Sequence, residues 1–236
     1  MAQSPSSSVV RNRLLLALPP ENLAQLLPKL HPVSLPLKKV LIVPQKRIEV
    51  VYFIESGWAS VVAHLDNGTQ AEIGVIGREG MVGLPLVVGV DTAFAETYIQ
   101  ADATGLQMET AAFRRELDDN ADLRRLLFRY NEAMSAQTAQ TAACNGRHDM
   151  EPRLAKWLLM AHDRSDGDEL LITQEFLSLM LCVYRPRVTV VAGILQKAGM
   201  IRYSNGSITI LDRAALEASA CYCYRTVQDR FEYLLG

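Results

Sequence analysis

The stretch TQEFLSLMLCVYRPRVTVVAGILQKAG, from Thr173 to Gly199, decides the fold of the C-terminal part of this chain. Thr173 is a suitable N-cap for a helix whose apolar residues recur at helical intervals. Pro186 suits the first turn of a second helix, which ends at Gly199. The apolar residues that this second helix is expected to turn inward are Val188, Val191, Ile194 and Leu195. The spacing therefore predicts two helices with a tight connection near Val183 and Tyr184.

Two alternating runs follow directly, at residues 201–204 and 207–210. The pair Asn205-Gly206 between them is typical of a two-residue β-hairpin turn. Helix, turn, helix and hairpin in this order predict a winged helix-turn-helix, a DNA-binding unit. For the two helices alone, an ordinary helical hairpin is the alternative.

The exposed face of the second helix is predicted to be basic. It begins with Tyr184, Arg185, Arg187 and Thr189, and Lys197 and Arg202 add positive charge. No acid follows these residues until Asp212. Such a face fits the phosphate backbone of DNA.

The net charge of -2 gives the chain no general affinity for nucleic acid. DNA binding would depend on where the charges lie, and the nearby acids precede the helical pair, at Asp163, Asp166, Asp168 and Glu169. The apolar runs are too short to cross a membrane, and the first residues, MAQSPSSSVV, do not resemble a secretion signal. We therefore expect a cytoplasmic globular protein with no membrane partner.

The four cysteines are Cys144, Cys182, Cys221 and Cys223, a set that fits a reducing compartment. Their spacing matches no common zinc or iron–sulfur pattern, because there is no CxxC. From spacing alone we expect no metal site. For Cys182 we expect a buried packing role.

The first half of the chain changes from a helical to a strand-like period. Residues 14–30 predict one or two short helices, interrupted by Pro19-Pro20. Strand-like runs then occupy residues 50–55, 58–64, 69–75, 97–101 and 105–108, with a hairpin turn at Asp66-Asn67-Gly68. Many short strands at this spacing predict a β-sandwich, roll or barrel.

Glycines recur every third residue in GVIGREGMVG, at Gly74, Gly77, Gly80 and Gly83. Neither a Walker lysine nor a strand-to-helix setting accompanies them. One interpretation is a tight turn between strands. The other is a turn whose backbone amides meet an anionic ligand, and spacing does not separate the two.

A long helix is predicted from about Asn120 to Asn145. Its apolar residues are spaced as in a coiled-coil seam, at Leu123, Leu126, Tyr130 and Ala133. Its second half carries polar residues that either face solvent or line a ligand pocket, namely Gln137, Thr138, Gln140 and Thr141. Gly146 is expected to end the helix and to act as a hinge.

The order of these parts resembles the Crp/Fnr superfamily of bacterial transcription regulators, over nearly the whole chain from about Leu14. The marks of the resemblance are RLAKWLL at residues 153–159, TQEFLSLML, RPRVTVVAGILQKAGMI and residues 203–210, with Gly57, Gly80 and Gly83 supporting a roll. From their composition, residues 1–13 are expected to form a disordered tail. The resemblance implies an α+β fold with a jelly-roll-like, cyclic-nucleotide-binding-like β-roll sensory domain (14–118), a long dimerisation helix and hinge (119–146) and a winged helix-turn-helix domain (147–236). It also implies a homodimer on a palindromic DNA operator and contact with RNA polymerase.

Arg185 takes the place of the family's base-reading arginine. The candidate DNA-contacting residues are Thr173, Gln174, Tyr184, Arg185, Pro186, Arg187, Thr189, Arg202 and Ser204. Pro186 stands where the cyclic-AMP-responsive members have a base-reading glutamate, and Val190 replaces a further arginine. The preferred operator should therefore differ from theirs.

The sensory domain departs further from the cyclic-AMP-responsive members. Met81 and Ala95 stand where those members have a glutamate and an arginine, and neither can make a charge-assisted bond. Binding of cyclic AMP in the usual way is therefore not expected, although Arg78 lies nearby in sequence. No cysteine precedes Cys144 to hold an iron–sulfur cluster, and His64 is a lone haem-ligand candidate. We expect no cofactor and an unknown small-molecule effector, with candidate pocket residues Arg78, Gly80, Met81, Gly83, Thr97 and Thr138.

Three functions remain open at this point, of which a DNA-binding regulator is favoured. A cyclic-nucleotide-binding regulatory module without DNA binding is disfavoured by the winged helix. A cupin-like enzyme would need a metal-binding set on adjacent strands, which the scattered histidines do not supply. The patterns GxSxG and HExxH and a P-loop are also absent from the sequence, so we do not expect an enzyme.

Overall fold

The computed structural model describes residues 10–66, 69–204 and 206–236. They divide into two compact units. We name them the N-terminal unit (residues 10–61, Val75–Ser135 and Phe231–Gly236) and the C-terminal unit (Val62–Gly74 and Ala136–Arg230). The mixture of an N-terminal antiparallel sheet and C-terminal helices confirms the predicted α+β class.

The N-terminal unit begins with α1 (Arg13–Leu16) and α2 (Pro20–Leu26), followed by a 3-10 turn at Leu27–Lys29. Asn12 caps α1, because its side-chain oxygen accepts from the amide of Leu15 at 3.0 Å. Its side-chain nitrogen also donates to the main-chain oxygens of Ile54 and Gly80, each at 2.8 Å. Asn12 and Val10 are buried, so the predicted disordered tail is wrong for its last residues. Residues 1–9 lie outside the described residues.

Six strands form the sheet that begins in this unit. They are β1 (His31–Leu35), β2 (Val40–Ile42), β3 (Val50–His64), β4 (Gln70–Ile76), β5 (Met81–Val82) and β6 (Glu96–Glu109). Their order is β1-β6-β3-β4, while β2 also pairs with β6 and β5 with β3. The strand β1 is antiparallel to β6, from His31 opposite Gln107 to Leu35 opposite Ala103. The sheet confirms the predicted β-rich first half.

Two breaks predicted within strands are wrong, because β3 runs unbroken through residues 56–57 and β6 through residues 102–104. Gly57 has a φ of +66°, and a Cβ there would lie 2.4 Å from the main-chain oxygen of Asp102. The neighbouring strand therefore requires glycine at this position without ending β3. Asn67 and Gly68 of the predicted hairpin turn lie outside the described residues.

Two helices follow β6, namely α3 (Thr110–Asp119) and α4 (Ala121–Arg147). The sequence did not predict α3. The long helix is confirmed by α4, but Gly146 does not end it, since α4 runs through Arg147 and the amide of His148 still donates to the oxygen of Cys144 at 3.0 Å. The core of the unit includes Phe53, Ile99, Met108, Phe113 and Tyr130.

The C-terminal unit contains the predicted pair of helices and the hairpin. Its elements are α5 (Met150–His162), β7 (Glu169–Leu170), α6 (Gln174–Met180), α7 (Arg185–Lys197), β8 (Ile201–Ser204), β9 (Ser207–Ile210), α8 (Arg213–Ser219) and α9 (Cys223–Leu235). The strand order is β7-β9-β8. The strand β7 and the helices α8 and α9 were not predicted from the sequence.

Within the described residues, no single helix is long and apolar enough to cross a membrane. The pair α6 and α7 reaches that length and composition only when both helices are counted together, and they are bent by 105°.

Candidate nucleic-acid interface

The two helices α6 and α7 form the predicted helix-turn-helix. The hydroxyl of Thr173 accepts from the amide of Phe176 at 3.1 Å and so caps α6, as expected. The turn passes through Cys182, which has a φ of +53°. Pro186 occupies the first turn of α7, where a backbone N–H would have no partner within the helix. Proline therefore costs the helix no hydrogen bond at this position. Gly199, with a φ of +75°, follows the last turn.

One face of α7 packs into the unit through Val188, Val191, Ala192 and Leu195. Ile194, predicted to point inward, is 43% exposed, and Ala192 takes its place. Cys182 is exposed, so the expectation that it is a buried packing residue is also wrong.

The opposite face of α7 is open to solvent. Tyr184, just before the helix, is 89% exposed, and Arg185, Pro186, Arg187 and Thr189 are exposed as well. Within the described residues, the guanidinium groups of Arg185 and Arg187 have no hydrogen-bond or ion-pair partner. Two free cations at the start of an exposed helix suit an anionic partner.

Thr189 connects the two helices. Its hydroxyl lies 2.8 Å from the side-chain oxygen of Gln174, at the start of α6, and 3.3 Å from the main-chain oxygen of Arg185. Since the side-chain oxygen of Gln174 accepts this bond, its amide NH2 remains as the donor end of the side chain. Thr173, Gln174 and Thr189 therefore lie together beside the start of α7.

The hairpin β8–β9 forms the predicted wing, with Ser204 opposite Ser207. Arg202 and Ser204 are exposed on β8. The amide of Tyr203 donates to the side-chain oxygen of Gln196 at 2.7 Å, which fixes the wing to α7. Asn205 of the predicted turn lies outside the described residues, and Gly206 has a φ of +82°.

The acids that precede the helical pair are engaged with neighbours inside the C-terminal unit. Asp163 pairs with Arg213 at 2.6 Å, and the ring of His162 lies 2.8 Å from Asp168. Glu169 accepts from the hydroxyl of Ser207 at 2.6 Å.

Two buried side chains contact the helix-turn-helix from the neighbouring part of the unit. Neither was assigned a role from the sequence. Arg153 donates to the main-chain oxygen of Leu181 at 2.5 Å. Trp157 donates through its ring N–H to Glu72 at 2.6 Å and meets the ring of Phe176 edge-on, with 5.6 Å between the ring centres. The run RLAKWLL was the only signal in the sequence that could have indicated them.

Residues 152–219 match the family model of the Crp-like helix-turn-helix domain. The chain also shares the fold of solved Crp/Fnr proteins. It resembles a Crp/Fnr-family protein from Eubacterium rectale with a TM-score of 0.68 and 17% identity, over 90% of this chain and 97% of that one. Residues 152–219 therefore form a Crp-like helix-turn-helix domain.

Two further solved structures resemble the chain. FixK2 from Bradyrhizobium japonicum has a TM-score of 0.70 and 14% identity, over 81% of this chain and 98% of FixK2. A transcriptional regulator of the CRP family from Thermus thermophilus, TTHB099, has a TM-score of 0.66 and 19% identity, over 80% of this chain and 96% of that one. Among curated proteins, none matches this chain in sequence.

The candidate effector residues of the chain are distributed over both units. Gly80, Met81, Gly83 and Thr97 are buried in the N-terminal unit, where Arg78 is partly exposed. Thr138 lies on the part of α4 that belongs to the C-terminal unit. A groove of about 430 Å³ in the N-terminal unit is lined by other residues, among them Val10, Ser34, Glu55 and Leu106. The role of the six candidates in effector binding stays a prediction.

Gly80 lies directly against Tyr130 of α4. A Cβ at Gly80 would lie 2.2 Å from the hydroxyl oxygen of Tyr130, which donates to the main-chain oxygen of Met81 at 3.3 Å. The amide of Gly80 donates to the oxygen of Gly77 at 3.0 Å. These contacts favour the tight-turn interpretation of the glycine-rich run at this position.

The residues predicted as a dimer seam on α4 are covered by the protomer itself. Leu123, Leu126 and Tyr130 belong to the core of the N-terminal unit, and Ala133 is fully buried. Their assignment to an intermolecular seam is wrong, because packing on the protomer's own sheet gives the same helical spacing. Phe128 lies on the exposed face of α4 and is 48% exposed.

Proposed function

We propose that the chain is a Crp/Fnr-type transcription regulator, which acts as a homodimer and places two copies of α7 in successive major grooves of a two-fold symmetric DNA site, about one helical turn apart. The observation that carries this proposal is the guanidinium group of Arg185 at the exposed start of α7, which has no partner among the residues that the structure describes. A helix enters the major groove with its N-terminal residues against the base edges.

The proposal gives the exposed side chains different roles. Arg185 would form a bidentate bond with a guanine, the commonest specific contact in the major groove. Arg187 and Arg202 would contact phosphates and set the register, as would Thr173, the amide of Gln174 and Ser204. Tyr184, Pro186 and Thr189 would complete the surface that meets the bases.

The dimer contact would use the exposed face of α4 around Phe128 rather than the buried Leu123, Leu126, Tyr130 and Ala133. Apolar side chains on exposed helix faces are common at such contacts. In the same proposal the dimer works in the cytoplasm with RNA polymerase as a further partner, and we assign the chain no catalytic role.

A small-molecule effector bound in the N-terminal unit completes the proposal. Cyclic AMP held in the usual way is not favoured, because Met81 and Ala95 are buried and carry no charge to meet a ribose or a phosphate.

The test is selection of tightly bound duplexes from a random DNA pool by the purified protein near physiological salt. We expect enrichment of a two-fold symmetric site, loss of preference at one base pair per half-site in Arg185→Ala, and no change in the control Arg115→Ala, an exposed arginine on α3. No enrichment by the wild-type protein, either alone or with cell extract supplying an effector, would contradict the proposal and favour a module without DNA binding.

A further inference from the structure

Three cysteines and a histidine that are far apart in sequence meet in the C-terminal unit. Cys144 and His148 are one helical turn apart at the end of α4, and Cys221 and Cys223 lie at the start of α9. Their three sulfur atoms and one ring nitrogen all lie within 4.8 Å of one another. The sulfurs of Cys144 and Cys221 are 3.5 Å apart, and Nδ1 of His148 lies 3.4 Å from the sulfur of Cys223.

These distances match the edges of a tetrahedron around one ion. With zinc–sulfur bonds of about 2.3 Å, two thiolates on a tetrahedral zinc lie about 3.8 Å apart. An iron–sulfur cluster holds several metal ions, so its four protein ligands must stand farther apart than they do around a single ion. The cluster of side chains is therefore the right size for one metal ion.

The chemistry of the ligands also favours one divalent thiophilic ion. Three cysteines and one histidine are a common ligand set of structural zinc sites. Three thiolates and one divalent cation leave a net charge of −1, and the charge of the nearby Lys156 offsets it. Lys156 is buried, and the described residues give it no hydrogen-bond or carboxylate partner.

The surroundings complete the site. Gln140, one turn before Cys144 on α4, donates its side-chain N–H to the sulfur of Cys223 at 2.9 Å. The three cysteines are buried, whereas His148 is exposed. An ion could enter from the His148 side. With four protein ligands the coordination is complete, which is typical of a structural site and not of a catalytic one.

We propose that Cys144, His148, Cys221 and Cys223 bind a single Zn²⁺ ion that fixes the last turn of α4 to the start of α9. Zinc binds the thiolates and the neutral imidazole, and any thiol protons still present are released to solvent as the four bonds form. The neighbouring Asn145 accepts a hydrogen bond from Arg153 at 2.9 Å, and Arg153 holds the turn before α7. Zinc would therefore stabilise the unit that carries the candidate DNA-binding residues.

The experiment is metal analysis of the purified full-length chain, prepared with reductant and without chelator. We expect about one zinc per chain from the four-ligand stoichiometry. Zinc should be lost in Cys144→Ser and in the double variant Cys221→Ser/Cys223→Ser, bound more weakly in His148→Ala, where water replaces the imidazole, and retained in the control Cys182→Ser, which removes the exposed cysteine outside the cluster. Cobalt added to the metal-free protein should give thiolate-to-cobalt charge-transfer absorption in the wild type and in Cys182→Ser, and not in the double variant. Because His148 is exposed, His148→Ala should keep the wild-type circular dichroism and so separate weakened metal binding from loss of fold.

Three results would overturn the proposal. The first is a folded, reduced wild-type chain that holds no zinc and binds neither added Zn²⁺ nor added Co²⁺. The second is zinc in the double variant Cys221→Ser/Cys223→Ser equal to that in the wild type, which would show metal binding unrelated to the cluster. The third is a Cys144–Cys221 disulfide in the intact mass of protein purified without oxidant, with no zinc bound. None of these results depends on whether the chain binds DNA.

Discussion

The guanidinium group of Arg153 on α5 donates a 2.5 Å hydrogen bond to the main-chain oxygen of Leu181, at the end of α6. The same nitrogen lies 2.9 Å from the side-chain oxygen of Asn145 on α4. Arg153 is buried, so water does not replace its bonds if the side chain is removed. One buried donor thus fixes the turn that positions α7.

Arg153→Met should lower the free energy of unfolding by about 1–3 kcal/mol, since methionine is similar in length and leaves the oxygen of Leu181 buried without a donor. Urea denaturation measures the change. The matched control is Arg147→Met, at the exposed end of α4, which should change stability by less than about 0.5 kcal/mol. Equal effects of the two substitutions would show that the Arg153 bond contributes nothing specific.

The helix-turn-helix could be predicted from the sequence because its signals are local. Thr173 caps α6, Pro186 opens α7 and Gly199 follows its end, each within one turn of the feature that it marks. The contacts behind the motif could not be predicted. Trp157 bonds to Glu72, which is 85 residues away, and no local pattern indicates that partner.

Gly80→Ala should destabilise the N-terminal unit by about 1–3 kcal/mol, because the new methyl group would overlap the buried Tyr130. Tyr130→Phe removes the nearest atom, the hydroxyl oxygen, and the weak bond to Met81. Gly80→Ala should therefore cost less in the Tyr130→Phe background than in the wild type. Urea denaturation of the four proteins in this double-mutant cycle measures the coupling. If the effects of the two substitutions on the free energy of unfolding are strictly additive, the backbone must move Gly80 away from Tyr130.

Helical spacing identified the buried face of α4 without identifying what covers it. Leu123, Leu126 and Tyr130 fit a dimer seam and a protomer core equally well, and only the tertiary structure assigns them to the core. Cysteine spacing also did not predict that Cys144 and Cys221 lie side by side in the structure. Cys144 and Cys221 are 77 residues apart, so a search for short ligand patterns does not pair them.

Arg202→Ala should weaken binding to specific and random DNA alike and reduce the slope of log affinity against log salt by about 1, since a phosphate contact carries no sequence information. Arg185→Ala should instead cost about 1–3 kcal/mol at one guanine per half-site and relax preference there. Fluorescence anisotropy on one specific and one random duplex, across a salt series, separates the two patterns. If Arg185→Ala reduces affinity for both duplexes equally, base reading has been assigned to the wrong residue.

Gln140→Ala should lower zinc affinity by about 10–100-fold while leaving all four ligands in place, because removal of a hydrogen bond to a metal ligand typically has an effect of that size. The substitution removes the 2.9 Å hydrogen bond that Gln140 donates to the sulfur of Cys223. Competition with a chromogenic zinc chelator measures the affinity. Thr141→Ala, the adjacent position on α4, is the control and should bind zinc as the wild type does. If Gln140→Ala retains the wild-type affinity, the Gln140 contact does not support the site. If both variants lose affinity equally, the effect reflects a change in α4 as a whole.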